Sequence, residues 1–177
     1  VSRQIATLNT HSRYLCEIVY TYAERLLATL PRELSKIVFT CTGSESVDLS
    51  LRIARAVTGG TGFIVTANAY HGNTLAVTQI SPSSTSAEPR SPHVFLVPAP
   101  DTYRTPSEGV GPIFAANVKK AISAMKRKKI RLAGIVADSI FSSDGIYPGE
   151  PGFMAEAIAN VRKAGGLFIA DEVQPGF

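Results

Sequence analysis

Four short polar clusters hold the residue types that chemistry needs: Thr42-Gly43-Ser44-Glu45, Tyr70-His71-Gly72, Asp138-Ser139, and Asp171 with Gln174. At the opening of a helix, Gly43-Ser44 offers free backbone N–H groups and the positive end of the helix dipole. That is a ready site for a phosphate, and equally an ordinary helix cap. Tyr70 presents a flat face that either receives a ring or packs on a core. His71 is a base, a ligand, or a turn residue ahead of Gly72. Asp171 ends the apolar run Leu167-Phe168-Ile169-Ala170. A carboxylate at the edge of a buried sheet is costly to desolvate unless it is paired. Asp171 therefore calls for a cation, either a side chain or the protonated ring nitrogen of a ligand, unless it merely begins a loop in water. One turn on, Gln174 can hydrogen-bond a ring substituent.

Hydrophobic spacing locates the elements that carry these residues. Leu15, Ile18, Val19, Tyr22, Leu26 and Leu30 recur at helical intervals between N-cap candidates at 9–12 and Pro31. Short apolar runs predict strands over 37–41, 62–66, 93–97, 131–137 and 167–170. The last of these, unbroken and bounded by glycines, reads as covered on both faces. Helices are expected from Val47 to Val57, over 73–80, over 113–129 and over 153–164, with loops at 81–92 and 98–112. Thr42 and Glu45 have capping-box spacing, and Gly59-Gly60 is a natural C-cap. Strands alternate with helices, which implies an α/β fold: three layers, a mainly parallel sheet and helices on both faces. Ligands bind such sheets beyond the carboxyl ends of the strands, and all four polar clusters fall there.

With 177 residues, 45% of them hydrophobic and 18% charged, the chain has the composition of an ordinary globular protein. Its net charge of +4 gathers mainly on Lys119, Lys120, Lys126, Arg127, Lys128, Lys129 and Arg131. These lie on and just after a helical stretch, so they read as a solvated face rather than a nucleic-acid surface. Cys16 and Cys41 are too few for a disulfide framework or a metal site, which fits a reducing, cytoplasmic setting. No apolar stretch approaches the ~20 residues of a membrane span. The chain opens at Val1 and stops at Phe177, just past a strand, and it reads as a piece of something longer.

Two familiar nucleotide-binding patterns fail. A run of apolar residues closed by Asp-Glu also describes the magnesium strand of P-loop ATPases, but no G-x-x-x-x-G-K-[ST] is present. Gly59-Gly60-Thr61-Gly62 precedes a strand instead of following one, a poor match to a dinucleotide fingerprint.

Taken together, the motifs resemble the class III branch of the fold-type I pyridoxal-phosphate (PLP) aminotransferases. The stretch 39–45 (FTCTGSE) is similar to that family's phosphate-binding turn, and Tyr70-His71-Gly72 to its cofactor-stacking segment. Asp171-Glu172-Val173-Gln174-Pro175-Gly176-Phe177 resembles its most recognisable block. Residues 8–13 and 100–104 look more narrowly like the alanine–glyoxylate aminotransferase 2-like group, which also contains amine phospho-lyases.

The resemblance implies roles. Gly43 and Ser44 would hold the cofactor phosphate, by backbone and hydroxyl. Tyr70 would stack on the pyridine ring, with His71 nearby. Asp171 would keep the ring nitrogen protonated, making the ring an electron sink, and Gln174 would lie near the ring's phenolic oxygen. Asp138 stands where the family usually has Glu, and Cys41-Thr42 where Asn-Ser is commoner. Residues 1–177 would be part of the cofactor-binding large domain, 1–35 a leading helix and 36–177 the core. The small C-terminal domain and the family's Schiff-base lysine would lie beyond Phe177, leaving this stretch alone inactive. The implied activity is transamination between an amino donor and a keto acid or aldehyde, by a homodimer. A phospho-lyase acting on a phosphorylated amino alcohol and a non-catalytic binding module are the alternatives.

Overall fold

A computed structural model describes residues 1–11, 13–84 and 89–176 of the chain. The N-cap candidate Ser12, positions 85–88 of the expected 81–92 loop, and Phe177 of the last block lie outside the described residues. The chain divides into two units, 1–39 and 40–177.

Residues 1–39 hold two helices, α1 (Ser2–Thr7) and α2 (Glu17–Leu27), and neither buries a residue. The apolar stripe expected from Leu15 to Leu30 does form a helix, but Leu15, Ile18, Val19 and Tyr22 stay exposed. Tyr22 stacks on Phe39 with ring centroids 5.6 Å apart. The strand expected over 37–41 is not formed. A strand is defined by its ladder, and no described strand pairs with this segment.

Residues 40–177 are built on four strands: β1 (Gly62–Thr66), β2 (Val94–Val97), β3 (Leu132–Asp138) and β4 (Leu167–Asp171). Their order is β2-β1-β3-β4, and every neighbouring pair is parallel. Between them run α3 (Gly43–Thr58), α4 (Leu75–Thr78), α5 (Ser107–Arg127) and α6 (Ala155–Lys163). Side chains alternate across the sheet as the pleat requires. Phe63 and Val65 pack with Val47, Leu51 and Ala54 of α3 and Val77 of α4. Ile64 and Ile135 pack on the other face with Phe114, Val118 and Met125 of α5 and Val161 of α6. These are the expected three layers, helices covering both faces of a parallel sheet.

Two boundaries differ from expectation. The strand at 167–170 is not covered on both faces: Leu167, Phe168 and Ile169 are half-buried and Ala170 is exposed. Among the described strands β4 pairs with β3 alone and stands at the edge of the sheet. Helix α5 begins at Ser107 rather than 113, with Pro112 inside its second turn. Proline there forfeits one helical bond, which a 21-residue helix accommodates, so it does not mark the boundary its sequence position suggested.

From β1 the chain goes through α4 to edge strand β2, then returns through α5 to β3 on the other flank of β1. The connections leaving β1 and β3 lead to helices on opposite faces. A crevice opens between them at the carboxyl ends of the two strands, where open α/β sheets bind ligands.

Candidate functional site

The start of α3 forms one wall of this crevice. Thr42 is its N-cap, and the Thr42 hydroxyl accepts the Glu45 N–H at 3.1 Å. Glu45 reaches back to accept the Cys41 N–H at 2.7 Å, one residue ahead of the usual capping-box partner. Ser46 N–H bonds the Thr42 carbonyl at 3.0 Å. Among the described residues, the N–H groups of Gly43 and Ser44 are left without an acceptor. Two free donors at the positive end of a 16-residue helix attract an anion. Glycine at 43 also lets the turn after β4 come close, since a methyl there would sit 2.8 Å from Val173 Cγ2.

A carboxylate lines the same crevice. Asp171 closes β4, and its Oδ2 lies 2.7 Å from His71 Nδ1, with side chains only 7% and 1% exposed respectively. Oδ1 accepts the Val173 N–H at 3.2 Å. An ionised Asp171 requires its histidine partner to carry the proton on Nδ1. The buried Nε2 of His71 has no partner among the described residues. His71 is fixed from behind as well: its N–H donates to the buried Ser81 hydroxyl at 3.0 Å. That hydroxyl lies 3.1 Å from the Gly72 carbonyl and 2.9 Å from the Val77 carbonyl, either of which can take its proton.

One cleft is lined by Gly43, Tyr70, His71, Asp138, Asp171 and Gln174, joined by Gly72 and Val173. Six of the seven candidate residues thus meet in one place, although the chain separates Gly43 from Gln174 by most of the core. Tyr70 is 44% exposed and lines the cleft. The seventh candidate, Ser44, does not line the cleft and follows Gly43, which does. Its hydroxyl turns away, 3.1 Å from Asn73 Oδ1.

Asp138 lines the cleft but spends its carboxylate on its own loop. Oδ1 accepts the Ile140 N–H at 2.8 Å, and Oδ2 accepts the Ser142 N–H at 3.1 Å and the Ser142 hydroxyl. Asp144, further along that loop, accepts the Thr66 hydroxyl at 2.6 Å and the Asn68 N–H at 2.9 Å. It thereby ties the loop after β3 to the segment that carries Tyr70. Sequence reasoning passed over Asp144, Asn73 and Ser81. Each acts across 9 to 78 positions of chain, and no local pattern marks such a contact.

The cleft brings together unpaired N–H donors at the start of α3, a buried carboxylate and an aromatic side chain. A flat ring with an anionic substituent and a protonated nitrogen is complementary to that arrangement. No group of residues suited to a metal ion occurs among the described residues. No described helix is long and apolar enough to cross a membrane.

The model of the family "Aminotransferase class-III" matches residues 1–177. The chain belongs to the class III aminotransferase family. It is 32% identical over 184 residues to an alanine–glyoxylate aminotransferase 2-like protein of Drosophila melanogaster, covering 98% of this chain and 37% of that one. Among solved structures, a phospholyase from Arthrobacter in complex with phosphoethanolamine superposes with a TM-score of 0.91 at 36% identity, over 99% of this chain and 42% of that one. An amine transaminase from an uncultivated Pseudomonas species, solved with PLP bound, has the same fold: TM-score 0.81, 22% identity, 97% and 42% coverage. The chain spans about two-fifths of the length of these class III relatives. No lysine lines the cleft within the described part of the family domain.

Proposed function

We propose that this chain is the cofactor-binding part of a PLP-dependent class III enzyme that moves an amino group from a donor to a keto acid or aldehyde. The single observation that carries the reading is the buried Asp171 carboxylate opening onto the same cleft as the free N–H groups of α3. These two features match the two charged features of pyridoxal phosphate. Bound there, the cofactor supplies an electron sink for carbanion chemistry at an amine-bearing carbon.

The chain's own groups do the holding. The Gly43 and Ser44 N–H groups receive the phosphate. Tyr70 covers one ring face and excludes water from it. Asp171 holds a proton at the ring nitrogen, and His71 at 2.7 Å fixes which way the carboxylate points. Gln174 stands near the ring's phenolic oxygen, and Asp138 shapes the floor through its loop. With no lysine lining the cleft among the described residues, residues 1–177 on their own do not turn over amines.

A second reading, elimination of phosphate from a phosphorylated amino alcohol, is favoured by the likeness to the Arthrobacter phospholyase at 36% identity. The same residues serve both reactions. The exposed apolar side chains of 1–39, among them Leu15, Ile18 and Tyr20, favour a homodimer that covers them. The free thiols Cys16 and Cys41 suit a reducing compartment such as the cytoplasm.

Cofactor binding is tested by titrating PLP into the full-length protein and following its absorption. Saturable binding that Asp171→Ala abolishes supports the reading, and equal binding by both proteins refutes it. Phosphate release from phosphoethanolamine, measured against keto-acid-dependent amine consumption, then separates the two reactions.

A further inference from the structure

The Ser44 hydroxyl has one proton to donate, and it faces Asn73 Oδ1 at 3.1 Å. Ser44 Oγ in turn accepts the Asn73 N–H at 3.1 Å. Gly72 closes over it, since a methyl there would lie 2.5 Å from Ser44 Oγ. The hydroxyl is therefore wedged between two residues of the Tyr70 segment, 29 positions away. A phosphate only accepts hydrogen bonds at neutral pH, and this hydroxyl has no second proton to offer it. One turn along the same helix, Asp48 Oδ2 accepts the Thr74 hydroxyl at 2.7 Å, so α3 grips the segment at two successive residues.

Resting on the proposed cofactor reading, we infer that Asn73 is a positioning residue that diverts the Ser44 hydroxyl from the phosphate and uses it to hold Tyr70 over the ring. The phosphate is then held at this point by the N–H groups of Gly43 and Ser44 alone. The Ser44–Asn73 pair joins the phosphate end of the cleft to its stacking face. Loosening either partner weakens stacking and leaves the anion contacts unchanged.

The test compares full-length protein with Ser44→Ala, Asn73→Ala and the double variant, by three measurements. For PLP affinity, each single variant binds roughly three- to tenfold more weakly, the range of one hydrogen bond, and the double variant is no worse than the weaker single. Additive losses overturn the inference, as does a loss confined to Ser44→Ala. For inorganic phosphate as competitor, the inhibition constant stays the same in all four proteins. A phosphate constant that rises in Ser44→Ala alone means the hydroxyl contacts the anion and overturns the inference. For amide hydrogen exchange without cofactor, both single variants speed exchange at the bonded amides of His71 and Asn73, and unchanged exchange overturns the pairing. If the unmodified protein fails to bind PLP while exchange responds as stated, the cofactor reading falls and the Ser44–Asn73 coupling stands.

Discussion

Asp138 and Asp171 stand side by side as the last paired residues of the parallel strands β3 and β4. Two carboxylates on one rung repel unless each has a partner of its own. The fold supplies different partners. Asp138 takes two N–H groups and a hydroxyl from the turn that follows it. Asp171 takes the imidazole of His71, brought from 100 positions away. One carboxylate has become part of the backbone architecture, while the other lines the cleft, paired with an imidazole.

The two aspartates are therefore expected to respond differently to removal. Asp171→Ala leaves the His71 ring buried with both nitrogens unpartnered, which costs about 1–3 kcal/mol, and abolishes saturable PLP absorption changes. Asp138→Ala frees the turn from Ile140 to Ser142 and lowers the denaturation midpoint, but leaves the pole of the cleft that meets the ring nitrogen intact. It should weaken PLP binding no more than about tenfold. Urea unfolding and PLP titration of both variants check this, and equal loss of binding would show that Asp138 also meets the ligand.

Gly72 separates space from conformation. Its φ of +129° lies in a region that disfavours side chains, and its place against Ser44 leaves no room for a methyl. Gly152 has a positive φ of +86° as well, but nothing lies within 4 Å of its missing side chain. Gly152→Ala is expected to cost about 1 kcal/mol, the backbone penalty alone, and to leave PLP binding untouched. Gly72→Ala is expected to cost at least about 2 kcal/mol and to weaken PLP binding, because Ser44 must move. Thermal melts and titrations of the two variants make the comparison.

Much of the fold was legible because it is written in local pattern. The runs at 62–66, 93–97, 131–137 and 167–170 became β1 to β4 within a residue at each end. The cap at Thr42 and the αL glycine at Gly59, φ +65°, closed α3 where their residue types required. What failed depended on partners. The segment 37–41 has the composition of a strand but no neighbour to pair with among the described residues. Pro112 looked like a boundary, yet it sits in α5 where Gly111 lets the helix approach the Phe153 carbonyl, 2.8 Å from a would-be methyl. The cleft divides the same way. Its residue types at strand ends could be read, but the bond between His71 and Asp171 is a fact of topology, and nothing in the local sequence of either residue discloses it.

A third expectation concerns acid. Asp101 organises the loop after β2, accepting the N–H groups of Tyr103 at 3.0 Å and Arg104 at 2.9 Å and the Arg104 guanidinium at 2.8 Å. The Arg104 side-chain hydrogen bond, above all, holds the Asp101 carboxyl below the ordinary aspartate range, and Asp101 in turn raises Arg104. A folded-state value depressed in this way gives stability that is present above the unfolded value. That stability is lost as pH falls through the folded one. The pair is exposed, so the contribution is small and screened by salt. In an NMR titration Asp101 should ionise at lower pH than in unfolded chain, and Arg104→Ala should raise it toward the ordinary range. A titration midpoint indifferent to Arg104 would contradict this.

Phe141 offers the sharpest test of how the loop after β3 is held. It is 1% exposed and lies in the core at the edge of the Phe114 and Phe153 rings, with centroids 5.7 and 6.1 Å away. Yet its backbone is left-handed, φ +53° and ψ +46°, a conformation that costs a non-glycine residue roughly 1–2 kcal/mol. Burial of a large aromatic side chain outweighs that strain and locks the turn in which Asp138 and Asp144 are fixed. Removing the ring should cost about 3–5 kcal/mol. The strain makes the replacement matter in an unusual direction. Alanine keeps the backbone penalty and glycine relieves it, so Phe141→Gly should be more stable than Phe141→Ala by up to about 1 kcal/mol despite its greater unfolded-state entropy. Urea unfolding of the two variants gives the order directly. If alanine proves the better substitute, the turn does not hold Phe141 in the left-handed conformation, and the Asp138 cap cannot depend on it.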